Sequence, residues 1–387
     1  TLSLHDALPI LFFNGIGTLL YAFITKRKIP AYLGSSFAFI SPVLLLYGQG
    51  YDFQTIQGGF VLVGVVFSII AIIVGYIGIG WINKLFPPAA MGSIITLIGL
   101  ELAGTAADMA GFPVGGSNSP TLNVSWVIVS MVTLLTVILC NVLLRGFLKV
   151  IPLLIGVIVG YITSCFMGIV DFSLVSNASF FVLPNIKIAH FNINAILTIL
   201  PATFVVIAEH VGHLKVTSSI VGKDFLEDPG LHRSLLGDGL STIVSGMFGS
   251  VPTTTYGENI GVMALTKIYS VYIICGAGLI SIILGFSGKM SALIRTIPTP
   301  VIGGVSFLLF GTIAVSGLRT FIEEKVDFSK SRNLILSSVI FIVGISGITL
   351  TMGSFEITGM GLATIVAIIL NLSFIIFDKL GLMNEKE

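Results

Sequence analysis

Charge is scarce in this chain: only 10% of its 387 residues are Asp, Glu, Lys or Arg, 19 basic against 18 acidic, while 55% are hydrophobic. So little charge on so much apolar sequence excludes a water-facing surface for most of the length and places the chain in a bilayer. Cysteine is sparse too. Cys140, Cys165 and Cys275 are odd in number and each lies within an apolar run, which argues against a disulfide framework and reads as packing. No basic stripe with interleaved aromatics is present and the net charge is +1, so nucleic acid is not a partner.

What the chain does have is apolar sequence in blocks, at 9–25, 35–48, 58–81, 87–107, 124–144, 150–169, 193–215, 235–249, 254–266, 268–288, 300–318, 333–350 and 358–377. Many have the ~17–25 residues needed to cross about 30 Å of hydrocarbon. The 44 glycines are spread through them, as close helix packing in lipid requires. Basic residues fall in alternate loops, from Lys26, Arg27 and Lys28 through Lys84, Arg145, Lys149, Lys215, Lys223, Arg233, Lys267, Arg319, Lys325, Lys330 and Arg332 to Lys379. Only Lys187, Lys289 and Arg295 fall on the other side, so the basic side and the C-terminus are expected in the cytoplasm.

Two blocks are unlike plain helices. The stretches from Gly34 to Pro42 and from Pro252 to Asn259 are rich in Ser, Thr, Gly and aromatics and read as extended backbone, each continuing as a short helix. Irregular backbone at membrane depth survives only where protein or a cavity satisfies it, so these stretches are expected to line a site. Each follows one copy of a weak repeat: Asn14-Gly15-Ile16-Gly17-Thr18-Leu19 matches Asp238-Gly239-Leu240-Ser241-Thr242-Ile243. Further on, Pro87-Pro88-Ala89-Ala90-Met91-Gly92 is echoed by Pro298-Thr299-Pro300-Val301-Ile302-Gly303. The copies are an odd number of segments apart and therefore run in opposite senses, the inverted plan of secondary transporters.

Ionisable groups inside apolar runs are costly and mark function. Glu209 lies deep in one run and Glu258 in the second broken stretch, whereas Glu101 near the outer end of its run reads as structural. In Glu209-His210-Val211-Gly212-His213 the i, i+4 spacing puts Glu209 and His213 on one helical face, able to share a proton. His210 points a quarter-turn away and reads as a hydrogen-bonded core residue. The histidine spacing matches no metallohydrolase order and no third ligand is apparent, so neither metal nor cofactor is expected beyond the proton.

The run Glu258-Asn259-Ile260-Gly261-Val262-Met263-Ala264-Leu265-Thr266-Lys267 resembles the signature of the nucleobase-ascorbate transporter family: an acidic, amide or proline residue, Asn, any residue, Gly, four of any kind, Thr, and a basic residue or Gly. The stretches 30–42, 86–92 and 208–213 are similar to the same family, and the likeness covers roughly residues 11–380. It implies an all-α polytopic fold of fourteen segments in two inverted seven-segment repeats, with short antiparallel strands at the substrate site. It implies a core domain (11–81 and 193–296), a gate domain (82–192 and 297–380) and a cytoplasmic tail (381–387). The function implied is proton-coupled uracil import across the bacterial inner membrane, by a transporter and not an enzyme.

On that resemblance Glu209 and Glu258 contact the base, Phe37 and Tyr256 flank it and His213 supports the proton step; the backbone around Phe37 and Gly257 is expected to supply donors, Glu209 with His213 on its face to carry the proton, and Ser36 and Asn259 to support the site. The chemistry agrees, since uracil offers N–H and C=O groups along a flat edge and needs acceptors, backbone donors and an apolar face. A xanthine or urate carrier is the rival within the family, and Glu at 258 resembles the uracil branch. An anion channel with the same repeat plan is the rival from another class. Residues 1–10 do not resemble the family, whose first segment with its Gln-His pair is not found; they read as a junction in which His5 and Asp6 have no role, and the chain as given is expected to insert but transport poorly. Whether two copies pair as a homodimer is left open by the sequence.

Overall fold

A computed structural model describes residues 7–78, 80–115, 121–352 and 355–383. The junction reading for residues 1–6, with His5 and Asp6, and the tail reading for 384–387 lie outside the described residues. In chain order the first half holds α1 (Ala7–Ile24), β1 (Leu33–Ser35), α2 (Ile40–Gly48), α3 (Phe53–Ile77), α4 (Gly80–Leu85), α5 (Pro88–Glu101), α6 (Ala103–Met109), α7 (Val124–Leu143), α8 (Pro152–Phe166) and α9 (Ser173–Asn177). After α10 (Ile193–Val221) come α11 (Leu231–Met247), β2 (Thr253–Thr255), α12 (Gly257–Thr266), α13 (Val271–Leu284), α14 (Gly288–Arg295), α15 (Thr299–Glu323), α16 (Ser331–Ile345), β3 (Thr349–Met352), β4 (Phe355–Thr358) and α17 (Gly359–Lys379).

Helix ends follow local chemistry. Asp52, Asn123 and Asn192 accept backbone N–H bonds at the starts of α3, α7 and α10, each such cap contributing about 1 kcal/mol. Proline opens α5, α8 and α15, where its missing N–H costs nothing. Among the described residues α3, α7, α10, α15, α17 and the α5–α6 pair are long and apolar enough to cross a membrane, and exposed side chains such as Ile72, Leu139, Ile283 and Ile342 present apolar surface outward.

The repeat read from the sequence appears as crosswise packing. Helix α1 packs on α13 and α11 packs on α3, so the first helix of each half lies against the third segment of the other. Gly15 meets Gly278, and Gly239 meets Gly64, through backbone approaches that leave no room for a Cβ at Gly15 or Gly239. A second group joins α5, α6, α7, α8, α15, α16 and α17, while α10 touches α2 and α3 on one side and α5 and α17 on the other.

Both broken stretches are present but shorter than expected. The ladder spans Leu33–Ser35 and Thr253–Thr255, antiparallel with Leu33 opposite Thr255 and Ser35 opposite Thr253, and Ser36 and Tyr256 continue the extended backbone by one residue each. Phe37–Phe39 already forms a 3-10 turn and α12 begins at Gly257. A second antiparallel pair, β3 with β4, was not anticipated, so the all-α expectation is corrected here. The run 333–350 read as one helix, yet α16 ends at Ile345 and the β-branched stretch around Thr349 and Thr351 pairs with Thr358 and Glu356.

Candidate functional site

The site is built around the β1–β2 ladder. Because the strands are antiparallel, the 3-10 turn leading to α2 departs from one end and α12 from the other, so two helix N-termini flank one short ladder. The N–H groups of Gly257, Glu258 and Asn259 occupy the first turn of α12, where no preceding helical carbonyl exists to accept them. Ser36 caps the other turn, its hydroxyl accepting from Ala38 N at 3.4 Å. Helix α10 passes the 3-10 turn, β2 and α12.

On α10, Glu209 and His213 both retain partial exposure, 21% and 20% of their side chains, and His213 Nε2 stands 4.0 Å from Glu209 Oε1. His213 Nδ1 reaches Thr255 Oγ1 at 3.3 Å, which ties the helix to the strand. Gly257 permits this approach, because a Cβ there would stand 2.9 Å from His213 Nε2. Glu258 is exposed in the first turn of α12. Asn259 is half-buried in the same turn.

The two aromatics are held differently. Phe37 is half-buried and meets Phe310 of α15 edge to face, with ring centroids 5.8 Å apart. Tyr256 lies with its ring against Gly34, where a Cβ would come within 2.2 Å of Cζ, and its hydroxyl sits 3.0 Å from Ser35 Oγ. Glu209, His213, Gly257 and Glu258 therefore share one region at the end of the ladder from which α12 departs, with Tyr256 beside them. Phe37 and Ser36 stand at the opposite end.

Glu101, read from the sequence as structural, has both carboxylate oxygens engaged by other segments. Its Oε1 accepts from Ser41 Oγ at 2.5 Å and its Oε2 from Met360 N at 3.0 Å, tying α5 to α2 and to the start of α17. Sequence reasoning missed Asp238, seen only as the repeat mate of Asn14. It is fully buried, with Oδ2 2.7 Å from His210 Nδ1 and accepting from Thr254 Oγ1 at 3.2 Å. The signal available was an acidic residue at the repeat position occupied by a neutral amide in the other half. Among the described residues no His, Cys, Asp and Glu cluster has the makings of a metal site.

A polytopic helical bundle whose two interrupted segments meet in a short ladder, with Glu209 and Glu258 on the helices beside it, has the architecture of a membrane transporter. Residues 8–353 match the Permease family (Xan_ur_permease), and the chain belongs to that family. It is 55% identical over 385 residues to a uracil permease of Paenibacillus larvae, covering 99% of this chain and 91% of that protein. It is 57% identical over 365 residues to the uracil permease of Escherichia coli K12, covering 94% and 84%. Its fold resembles the transmembrane domain of a cyanobacterial bicarbonate transporter, BicA, with a TM-score of 0.56 at 14% identity over 96% of this chain and 94% of that one. The murine anion transporter Slc26a9 in its inward-facing state gives 0.67 at 12% identity, over 97% and 66%.

Proposed function

We propose that this chain imports uracil across the bacterial plasma membrane by alternating access, coupled to proton entry. The observation that carries the reading is the placement of Glu209 and Glu258, from two different helices, beside the free first-turn N–H groups of α12. Carboxylates accept the two N–H groups of a uracil edge and backbone N–H groups serve its carbonyls, while Tyr256 offers a flat apolar face and Phe37 closes the far end of the ladder. The relatives named uracil permeases, at 55% and 57% identity, support the same substrate.

Proton coupling rests on Glu209. A carboxylate beside His213 and within reach of a second carboxylate favours taking up a proton when base and proton bind together, and differential binding in the outward and inward states then links the two fluxes. In this reading residues 11–81 and 193–296 form a core that carries the substrate and residues 82–192 and 297–380 a gate against which it moves. The C-terminus lies in the cytoplasm. An anion as substrate is disfavoured by two carboxylates at one site, and the likeness to anion transporters is one of fold. Uptake of labelled uracil with competition by thymine, xanthine and urate tests the reading, since xanthine outcompeting uracil would move the chain to the purine branch.

A further inference from the structure

The residue next to Glu209 faces away from the site, and each of its ring nitrogens has a close polar neighbour. His210 is wholly buried; Nδ1 lies 2.7 Å from Asp238 Oδ2, too bent for a linear N–H bond, and Nε2 lies 2.7 Å from Ser234 Oγ. Ser234 Oγ in turn lies 2.6 Å from the hydroxyl of Tyr21, and Asp238 Oδ2 accepts from Thr254 on β2. Tyr21, Ser234, His210, Asp238 and Thr254 are each no more than 2% exposed. Five buried polar side chains thus join α1, α10, α11 and β2 behind the site, and the mechanism above uses none of them.

Helix α10 needs such a hold. Pro201 lies within it, eight positions before Glu209, and proline removes a backbone hydrogen bond and loosens the helix at that turn. Beyond that point the rotation of the helix about its axis is set by its side-chain contacts, among them the buried polar contacts of His210. Consecutive helical residues are about 100° apart, so the azimuth of His210 sets those of Glu209 and His213. A 20° turn would carry a carboxylate ~6 Å from the axis through about 2 Å, more than a binding geometry tolerates.

We propose that His210 is the positioning residue of this site. Its contact with Asp238 holds α10 at the rotation that aims Glu209 and His213, and through Thr254 it holds β2, which leads into Tyr256 and Glu258. The contact with Asp238 is the essential one, because without it Thr254 alone would serve a buried carboxylate whose Oδ1 has no hydrogen-bond partner, and the charge would shift to find another. The contact with Ser234 is secondary. The inference rests on the same site as the proposed function but not on the identity of the substrate.

Two amides separate the contacts. Asn presents an N–H₂ where His210 has Nδ1, and Gln presents one where it has Nε2. In the full chain with Cys140, Cys165 and Cys275 replaced by Ala, Glu209→Cys gives a thiol whose alkylation rate by a maleimide reports where position 209 points, without any ligand. The expected result is a rate within about twofold of the parent in His210→Asn and changed by at least about fivefold in His210→Gln. In the cysteine-bearing wild type, His210→Asn should retain uracil affinity and His210→Gln lose it. Equal alkylation rates in all three chains, or equal changes in both amide variants tracking a common fall in melting temperature, would overturn the proposal and leave His210 a packing residue. Failure of the unsubstituted chain to bind uracil would count against the substrate reading alone.

Discussion

Thr18 and Thr242 hold the first residue of each strand in the same way: Thr18 Oγ1 accepts the N–H of Leu33 at 3.0 Å, and Thr242 Oγ1 accepts that of Thr253 at 3.2 Å. The two threonines are matched positions of the weak internal repeat, and both are buried. The symmetry of the fold therefore reaches the ladder through a pair of hydroxyls. Thr242 also donates to Thr253 O at 3.0 Å, so it makes one bond to its strand that Thr18 does not.

Replacing either threonine by Val keeps its shape and leaves a buried strand N–H unpaired, at about 1–3 kcal/mol. Thr18→Val and Thr242→Val should each lower the melting temperature of the purified protein, Thr242→Val by more. Unchanged unfolding of both would mean that the ladder is held by other contacts.

Glu258→Gln preserves volume but exchanges an acceptor-only carboxylate for an amide, weakening a charged hydrogen bond of ~1.5–3 kcal/mol. Uracil affinity by calorimetry should fall at least about tenfold, the lower end of that range. Undiminished affinity would remove Glu258 from the base-binding set.

Glu209→Gln tests the proton step. Accumulation of uracil against a gradient should be lost, while exchange of internal for external uracil, which needs no net proton movement, should survive to a larger extent. Accumulation with its pH dependence intact would show that another group carries the proton.

Gly34 tests the aromatic wall. A methyl group there would stand 2.2 Å from Cζ of Tyr256, so Gly34→Ala must displace the ring or the strand. The expected outcome is normal membrane insertion, seen as unchanged expression, with uracil affinity lowered by more than Ser36→Ala lowers it. Equal, small effects from both substitutions would place Tyr256 outside the site.

Much of this was legible because the membrane makes polar sequence conspicuous. The stretches 34–42 and 252–259 could be seen as breaks since Ser, Thr and Gly have no reason to cluster inside apolar runs, and Glu209 with His213 stood out by helical spacing alone. The pinning of His210 was hidden because its partners Asp238 and Ser234 lie on the following helix, with Tyr21 behind Ser234 on the first, and no local spacing records how those helices cross. The β3–β4 pair was hidden because Ile348, Leu350 and Ile357 are as apolar as the helices on either side, and hydropathy carries no sign of extended backbone. Gly257 was singled out as a contact to substrate, but its closeness to His213 depends on how α10 crosses α12, which no local pattern records.

The most direct test of the central claim is accumulation of labelled uracil by proteoliposomes bearing the purified chain, with the interior made alkaline relative to the outside. The account predicts saturable uptake that rises above the external concentration, collapses when a protonophore dissipates the gradient, and is competed by unlabelled uracil more strongly than by xanthine. Uptake that does not saturate, or that is indifferent to the proton gradient, would contradict it.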